Sequence, residues 1–558
     1  MIKRIGPIWN LVDDSWLPCV YEDGHYREIP LRELFHDAPR IRSFSGDIPQ
    51  QSVTLLRLVL AIMYRAYALR YGEDLDRRDL RELWDYVWKR GRFDEDGTID
   101  EYLDRFHDRF YLIHSDRPFY QVPGLTYATG KDMDSVGEMV ADVPKPEKFL
   151  FSMRSSKSLD HLDFAQASRW LIFLQAFDTA GIKSPVEGNT HINKGKVYAP
   201  KGAVGTGWLG AIGTVNVEGE NMFRTLMTNW CLYDTNSDAR LFGAPGDLPP
   251  WESDEPPTTD LTMRTSITGP VNAMTLQSRR VRLVPDDDGT CIIGLVNCYG
   301  DIVTASDTDD VETMTAWRSS PQQQQKLGLS TIPLMPVTHN ASRALWRGLA
   351  SILEIADDGV DRRPTVVRWV EELQDEEILK EDEHVLSLVS IHAQGMTYGT
   401  QSSVYETGID DAVTLDTAFF RKDYPAIRTM TKIVSDTDDA VRALANYVQN
   451  LRAVAGDKSS GGVAQSAAEQ VREETYGRLD MLFRDRIAGF TPDKDVESYG
   501  NAWRDEIHAT LVGIGHAYLS DTDVSMFGER DTGRMGTMSV ARARQLFYGA
   551  LRKALKRQ

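Results

Sequence analysis

From about residue 411 onward the chain is a succession of long amphipathic helical segments, and no other feature limits its fold as strongly. Apolar residues recur at helical spacing over about Thr414–Val434, Asp438–Val454, Ala464–Ile487, Val496–Tyr518 and Val540–Leu555. Polar or glycine-bearing turns such as GDKSSGG separate them. Helices of this length with short connections pack antiparallel. Residues 411–558 are therefore expected to form an all-α C-terminal antiparallel bundle.

Residues 1–410 read differently. SWLPCVYEDGHYREIPL is a hairpin with Glu22, Asp23 and Gly24 at its turn. The spacing predicts a helix over Ser52–Tyr71 and another over Leu80–Gly91, with an aromatic core segment over Tyr102–Gln121. Asp163–Thr179 is a strong helix, and Gly181 after it is read as the residue that ends it at positive φ. Asn221–Leu232 is a further helix, and strands are expected near Arg279–Val284 and Ile292–Val296. A helix is expected over Arg343–Ile355 and a charged, solvated one over Glu371–Glu383. Leu386–Ile391 is a short buried strand that leads into the loop GMTYGTQSSVYETG. The fold class that follows is α+β: a large mixed N-terminal domain, residues 1–410, followed by the bundle.

Several chemistries find no signature. Gly205-Thr-Gly207-Trp-Leu-Gly210 matches the dinucleotide-binding pattern, but AIGTVNVEG after it reads as a strand and the next acids come too early. No phosphate-binding G-x-x-x-x-G-K-[ST] run and no G-x-S-x-G elbow occur. His107 and His114 have no third ligand in sequence, and none of the four cysteines lies in a C-x-x-C pair, so no metal is expected. Four scattered thiols, no signal peptide and no apolar run near the bilayer-spanning length of about 20 residues lead to an expected cytoplasmic location without membrane attachment.

The net charge of −20 excludes a protein that coats nucleic acid by bulk electrostatics. Against it stands the stretch 188–217, which carries Lys194, Lys196 and Lys201 and no carboxylate. Positive charge on flexible backbone suits phosphates, although an ordinary exposed loop accounts for it equally. The loop Gly395–Ser403 has a polar tip, Tyr398-Gly399-Thr400-Gln401. A glutamine there fits a surface turn, or a side chain inserted between base pairs. The last helix is basic through Arg542, Arg544, Arg552, Lys553, Lys556 and Arg557, which suits its own dipole or a phosphate partner.

Taken together, NLVDDSWLPCV, RFYLIHSDRPFYQV, FLQAFDTAGIKS, GTGWLG, ENMFRTLMTNW, MTAWRSS and ASRALWRGLASIL resemble, in order, the blocks of the CasA family. These are the large subunits of the type I-E CRISPR surveillance complex, Cascade, and the resemblance implies an α+β N-terminal domain followed by an all-α C-terminal four-helix bundle. The resemblance implies a non-enzymatic subunit that reads the protospacer-adjacent motif (PAM) of double-stranded DNA from the minor groove. It further implies contact with the guide RNA 5′ handle and with other Cascade subunits, and recruitment of a separate helicase–nuclease. The family's glycine loop corresponds to Gly181, Ile182, Lys183 and Ser184, with Lys183 and Ser184 where the pattern is richer in glycine. The insertion bearing Lys194, Lys196 and Lys201 is read as sharing its role. The family's wedge corresponds to Thr400 and Gln401, and the RNA-handle segment to Leu150, Phe151 and Ser152. The family's minor-groove lysine and the zinc-like knuckle of some members have no counterpart. A metal-dependent nuclease or hydrolase, with carboxylates gathered from distant segments, is the alternative, and a scaffold without nucleic-acid contact is a third.

Overall fold

A computed structural model describes residues 6–557, apart from 73, 94–95, 142–158, 236, 238, 265, 354–360, 376–385, 422–423, 458–461, 521–527 and 532–535. Near the N-terminus the strands β1 (Leu17–Tyr21), β2 (Tyr26–Ile29) and β3 (Ile41–Phe44) pair in the antiparallel order β2-β1-β3. Gly24, at φ +83°, makes the β1–β2 turn that the sequence anticipates. Helix α1 (Gln50–Tyr71) follows and is buried on nearly every side. Among the described residues it is the one helix long and apolar enough to cross a membrane, but 89% of that stretch is enclosed in protein. It also carries two arginines that only a protein interior would pair. Arg57 meets Glu312 through two bonds of 2.8 Å, and Arg65 meets Glu252 through two of 2.9 Å.

Helix α2 (Phe164–Phe177) starts on Asp163, whose carboxylate caps the Gln166 amide at 2.7 Å. It ends at Asp178, which is extended at ψ 149°, and Gly181 does not adopt positive φ. The expected glycine stop is therefore replaced by an aspartate that turns the chain outward. Strand β4 (Thr214–Glu218) and helix α3 (Met222–Asn229), capped by Asn221, come next. Strands β5 (Arg279–Pro285) and β6 (Ile292–Tyr299) form an antiparallel pair. Strand β7 (Leu388–Tyr398) is the centre of the order β8-β7-β4, where β8 is Tyr405–Asp416. Its register sets Ile391 opposite Val217 and Gln394 opposite Thr214. The sequence reading ended this strand at Ile391. It continues to Tyr398: His392, Ala393 and Gln394 still ladder with β4, opposite Asn216, Val215 and Thr214. The expected helix over Arg343–Ile355 is a 3₁₀ turn, Leu345–Gly348, then a short helix, Ala350–Leu353. The helix expected over Glu371–Glu383 begins earlier, at Thr365, and buries Val366, Val367, Trp369, Val370 and Leu373.

The C-terminal helices are α4 (Pro425–Ala455), α5 (Val463–Ala488), α6 (Val496–Ser520) and α7 (Val540–Ala554). Four helices thus replace the five segments read from sequence, as a four-helix bundle requires. The polar run Ser435–Asp438 reads as a turn but lies inside α4. Asp436 is buried there beside Arg504 of α6, at 3.6 Å, and also pairs with Lys432 one turn back. By contacts the chain divides into one unit, Met1–Arg343 with Ile355–Ala412, and a second, Ala344–Glu354 with Val413–Gln558. A break at residue 410 would miss the 344–354 segment. That segment joins the bundle because Trp346 stacks on Phe483 at 3.9 Å and donates to Asp480 at 2.9 Å. Arg347 lies 3.6 Å over the Tyr476 ring and pairs with Asp438.

Candidate nucleic-acid interface

The candidate site is built where α2 ends. Asp178 is buried, and its carboxylate accepts from Arg279, from Lys183 Nζ at 2.6 Å and from the Thr179 amide at 2.8 Å. Burial works to raise its pKa, but the Lys183 and Arg279 charges more than offset this and hold it at about 2. Arg279, also buried, donates onward to the carbonyls of Thr179 at 3.0 Å and Gly205 at 2.8 Å. Its guanidinium lies 4.8 Å from the centre of the Tyr299 ring. The Tyr299 hydroxyl stands within bonding distance of the carbonyls of Ala180, 2.8 Å, and Gly181, 3.1 Å. One arginine, one aspartate and one tyrosine thus fix the backbone of residues 178–181.

From this root the chain runs out and back. Lys183 and Val197 exchange both backbone bonds, at 3.1 and 3.0 Å, and Asn193 and Lys196 do so at the tip, at 2.9 and 3.1 Å. Lys194 (φ +50°) and Gly195 (φ +74°) are the two tip residues, in the left-handed pair that tight hairpins need. Lys194 and Lys196 are exposed, and Lys201 is exposed on a second turn whose Gly202 has φ +87°. Lys183 is different. Its ammonium points inward and pairs with the Asp178 carboxylate. Ser184 is half-buried beside it, and Ile182 is exposed.

The second loop is the β7–β8 tip. The Gly399 amide donates to the Val404 carbonyl at 3.0 Å, closing a short turn. Gln401 (φ +58°) and Ser402 (φ +51°) both lie in the left-handed region, which costs a side-chain-bearing residue roughly 1–3 kcal/mol. Thr400 and Gln401 are exposed, and the Gln401 side chain makes no hydrogen bond to another described residue. Beneath the tip, the Tyr398 hydroxyl donates to the Phe177 carbonyl at 2.7 Å, and its ring meets that of Tyr405 at 5.8 Å. Further down β7, His392 is clamped by Glu218 at 2.5 Å and Asp410 at 2.7 Å. Burial lowers its pKa, but these two carboxylates dominate and raise it to about 9.

The two loops meet. The Ala180 amide donates to the Ser402 carbonyl at 2.7 Å. Gly181, Lys194, Lys196, Lys201, Thr400 and Gln401 therefore belong to two neighbouring excursions from one scaffold. Leu150, Phe151 and Ser152 lie outside the described residues. The glycines of GTGWLG serve packing: a Cβ on Gly207 would stand 2.3 Å from the Ala176 carbonyl carbon, and one on Gly205 2.9 Å from the Ala180 Cβ. Gly181 is the opposite case. A Cβ there would meet nothing closer than 3.8 Å, so its own chain does not demand glycine. Sequence reasoning missed Arg279 and Tyr299. The alternating RRVRL of β5 was the available signal for a buried arginine. Among the described residues no group of three His, Cys, Asp or Glu side chains is placed to hold a metal ion.

Residues 10–514 match the family described as CRISPR-associated protein Cse1. The chain belongs to the Cse1 family. A relative described as CRISPR-associated protein CasA/Cse1, from Thermus thermophilus, is 27% identical over 349 residues. That match covers 62% of this chain and 60% of the relative, so the chain spans less than two thirds of that relative's length. The crystal structure of Thermobifida fusca Cse1 is 31% identical, covers 98% of both chains and superposes with a TM-score of 0.84. A chain of a structure named CRISPR RNA-guided surveillance complex is 17% identical, covers 92% of this chain and 99% of that one, and has a TM-score of 0.65, a likeness of fold. The mixed helix-and-sheet architecture of this chain, with its helical C-terminal part, thus matches a Cse1 structure and is the class that the sequence implies.

Proposed function

We propose that this chain is the non-catalytic large subunit of an RNA-guided antiviral complex, that it reads the PAM of double-stranded DNA from the minor groove, and that it begins opening the duplex. The observation that carries the reading is the bond between Ala180 and Ser402, which joins the candidate PAM loop to the candidate wedge within the span of one short DNA site. Gly181 leaves its backbone open to close approach, and Lys194, Lys196 and Lys201 meet phosphates beside it. Gln401, held in a strained turn and unpartnered, enters the base stack. Unstacking a step costs about a few kcal/mol, and the guide RNA then pairs with the freed strand in a nearly balanced exchange. The minor groove displays a degenerate pattern, which suits a subunit that accepts several related motifs. Guide RNA, partner subunits and a helicase–nuclease recruited after DNA binding complete the assembly in the cytoplasm, with Leu150–Ser152 on the RNA handle.

The test uses the assembled complex and a fluorophore-labelled duplex. Gln401→Ala should leave assembly intact and slow duplex opening by about tenfold, the equivalent of losing roughly 1.4 kcal/mol at the barrier. An unchanged opening rate removes the wedge assignment.

A further inference from the structure

The Lys183–Val197 bridge has two sides. Lys183 and Val197 point inward, to Asp178 and to the core. Side chains alternate along paired strands, so the residues one step away on each strand, Ile182 and Tyr198, turn to the opposite face. Their exposures agree: 55% for Ile182 and 42% for Tyr198. Ile192, just before the tip, is 43% exposed. A chain with 83 acidic residues thus places large apolar side chains on a hairpin whose lysines at 194 and 196, and the nearby Lys201, have no ion-pair partner among the described residues. Apolar groups beside unpaired cations suit a partner whose surface is anionic at its edges and apolar between them. The sugar walls of a DNA minor groove have that character. A ribose-bearing duplex does not, because its minor groove displays 2′-hydroxyls.

We infer that Ile182 and Tyr198 pack against the deoxyriboses of the PAM-bearing duplex and make the subunit selective for DNA over a ribose-containing duplex. This rests on the reading of the Gly181 loop as a duplex-contacting element, and adds the sugar to what it recognises. The distance supports it. Ile182 follows Ala180 by two residues, no more than about 7 Å of chain. That corresponds to about two base-pair steps from the point where the wedge loop is bonded, at roughly 3.4 Å per step. A 2′-hydroxyl brought against the isoleucine would lose water and gain no partner there.

The experiment measures binding of the assembled complex to a PAM-bearing DNA duplex and to the same duplex carrying ribonucleotides at the PAM base pairs. The unaltered complex should prefer the all-deoxy duplex by about tenfold. With Ile182→Ser and Tyr198→Ser together, that ratio should fall towards one while the salt dependence, set by the lysines, stays as it was. Ile182→Ala and Tyr198→Ala singly should each give part of the loss, and serve if the double variant unfolds. An undiminished ratio in the variants, or no ratio in the unaltered complex, overturns the inference. Loss of the variant chain from the complex also overturns it, since the patch would then face a protein. Failure of the unaltered complex to bind either duplex in a PAM-dependent way removes the reading beneath it instead.

Discussion

The roots and the tips of the two hairpins follow opposite rules. At the roots the buried charges are matched. Asp178 is ringed by Arg279, Lys183 and Thr179, Tyr299 covers two carbonyls, and His392 is held between two carboxylates. At the tips little is matched: Lys194 and Gln401 sit at positive φ with exposed side chains. The two lysines Lys183 and Lys194, eleven positions apart on one hairpin, show what the difference means. One neutralises a buried charge and holds the fold; the other leaves its charge for a partner.

Mutations at both levels put this contrast under strain. The largest effect is expected at the root. Asp178→Ala leaves Arg279 buried without its carboxylate and should cost about 3–5 kcal/mol, read as a lowered denaturation midpoint. A wild-type midpoint would mean that the root is not rigid. Next comes His392. Its raised pKa adds stability that is complete below about pH 6.5 and is lost as pH rises through about 9. His392→Gln should flatten that part of the pH–stability curve, on the order of 2 kcal/mol. At the tip the sign reverses. Gln401→Gly relieves the left-handed backbone and should raise stability by about 1 kcal/mol while impairing duplex opening. Destabilisation by this change would show that the glutamine has a structural partner. A smaller stability change belongs to Gly181→Ala, stabilising by about 0.4–1 kcal/mol through the unfolded chain, yet weakening duplex binding. Replacing Lys194 by Ala should leave stability unchanged and reduce the salt slope of DNA binding by about one unit.

How far the sequence could be read follows the same division. Helix α2 was legible because a cap, Asp163, precedes an apolar face at helical spacing. The bundle was legible for its periodicity, yet its first helix was split in two because the partners of Asp436 lie one turn back and on another helix. The length of β7 was hidden because Gln394 and His392 satisfy themselves on neighbouring strands and Pro49, contacts that no local pattern encodes. The tips were found through composition and resemblance, since lysines without nearby acids and a loop glutamine are visible in the letters. Their common root was not visible: Asp178 and Arg279 are a hundred residues apart, and only folding makes them one structure.

The segment Ala344–Glu354 leaves the first unit, packs Trp346 into the helical one, and hands the chain back before it crosses again at Ala412. The chain therefore passes between the two units three times rather than once. A construction that starts at residue 411 would lack the tryptophan that lies on Phe483, and a protease nick at any one crossing would leave both halves still sewn together.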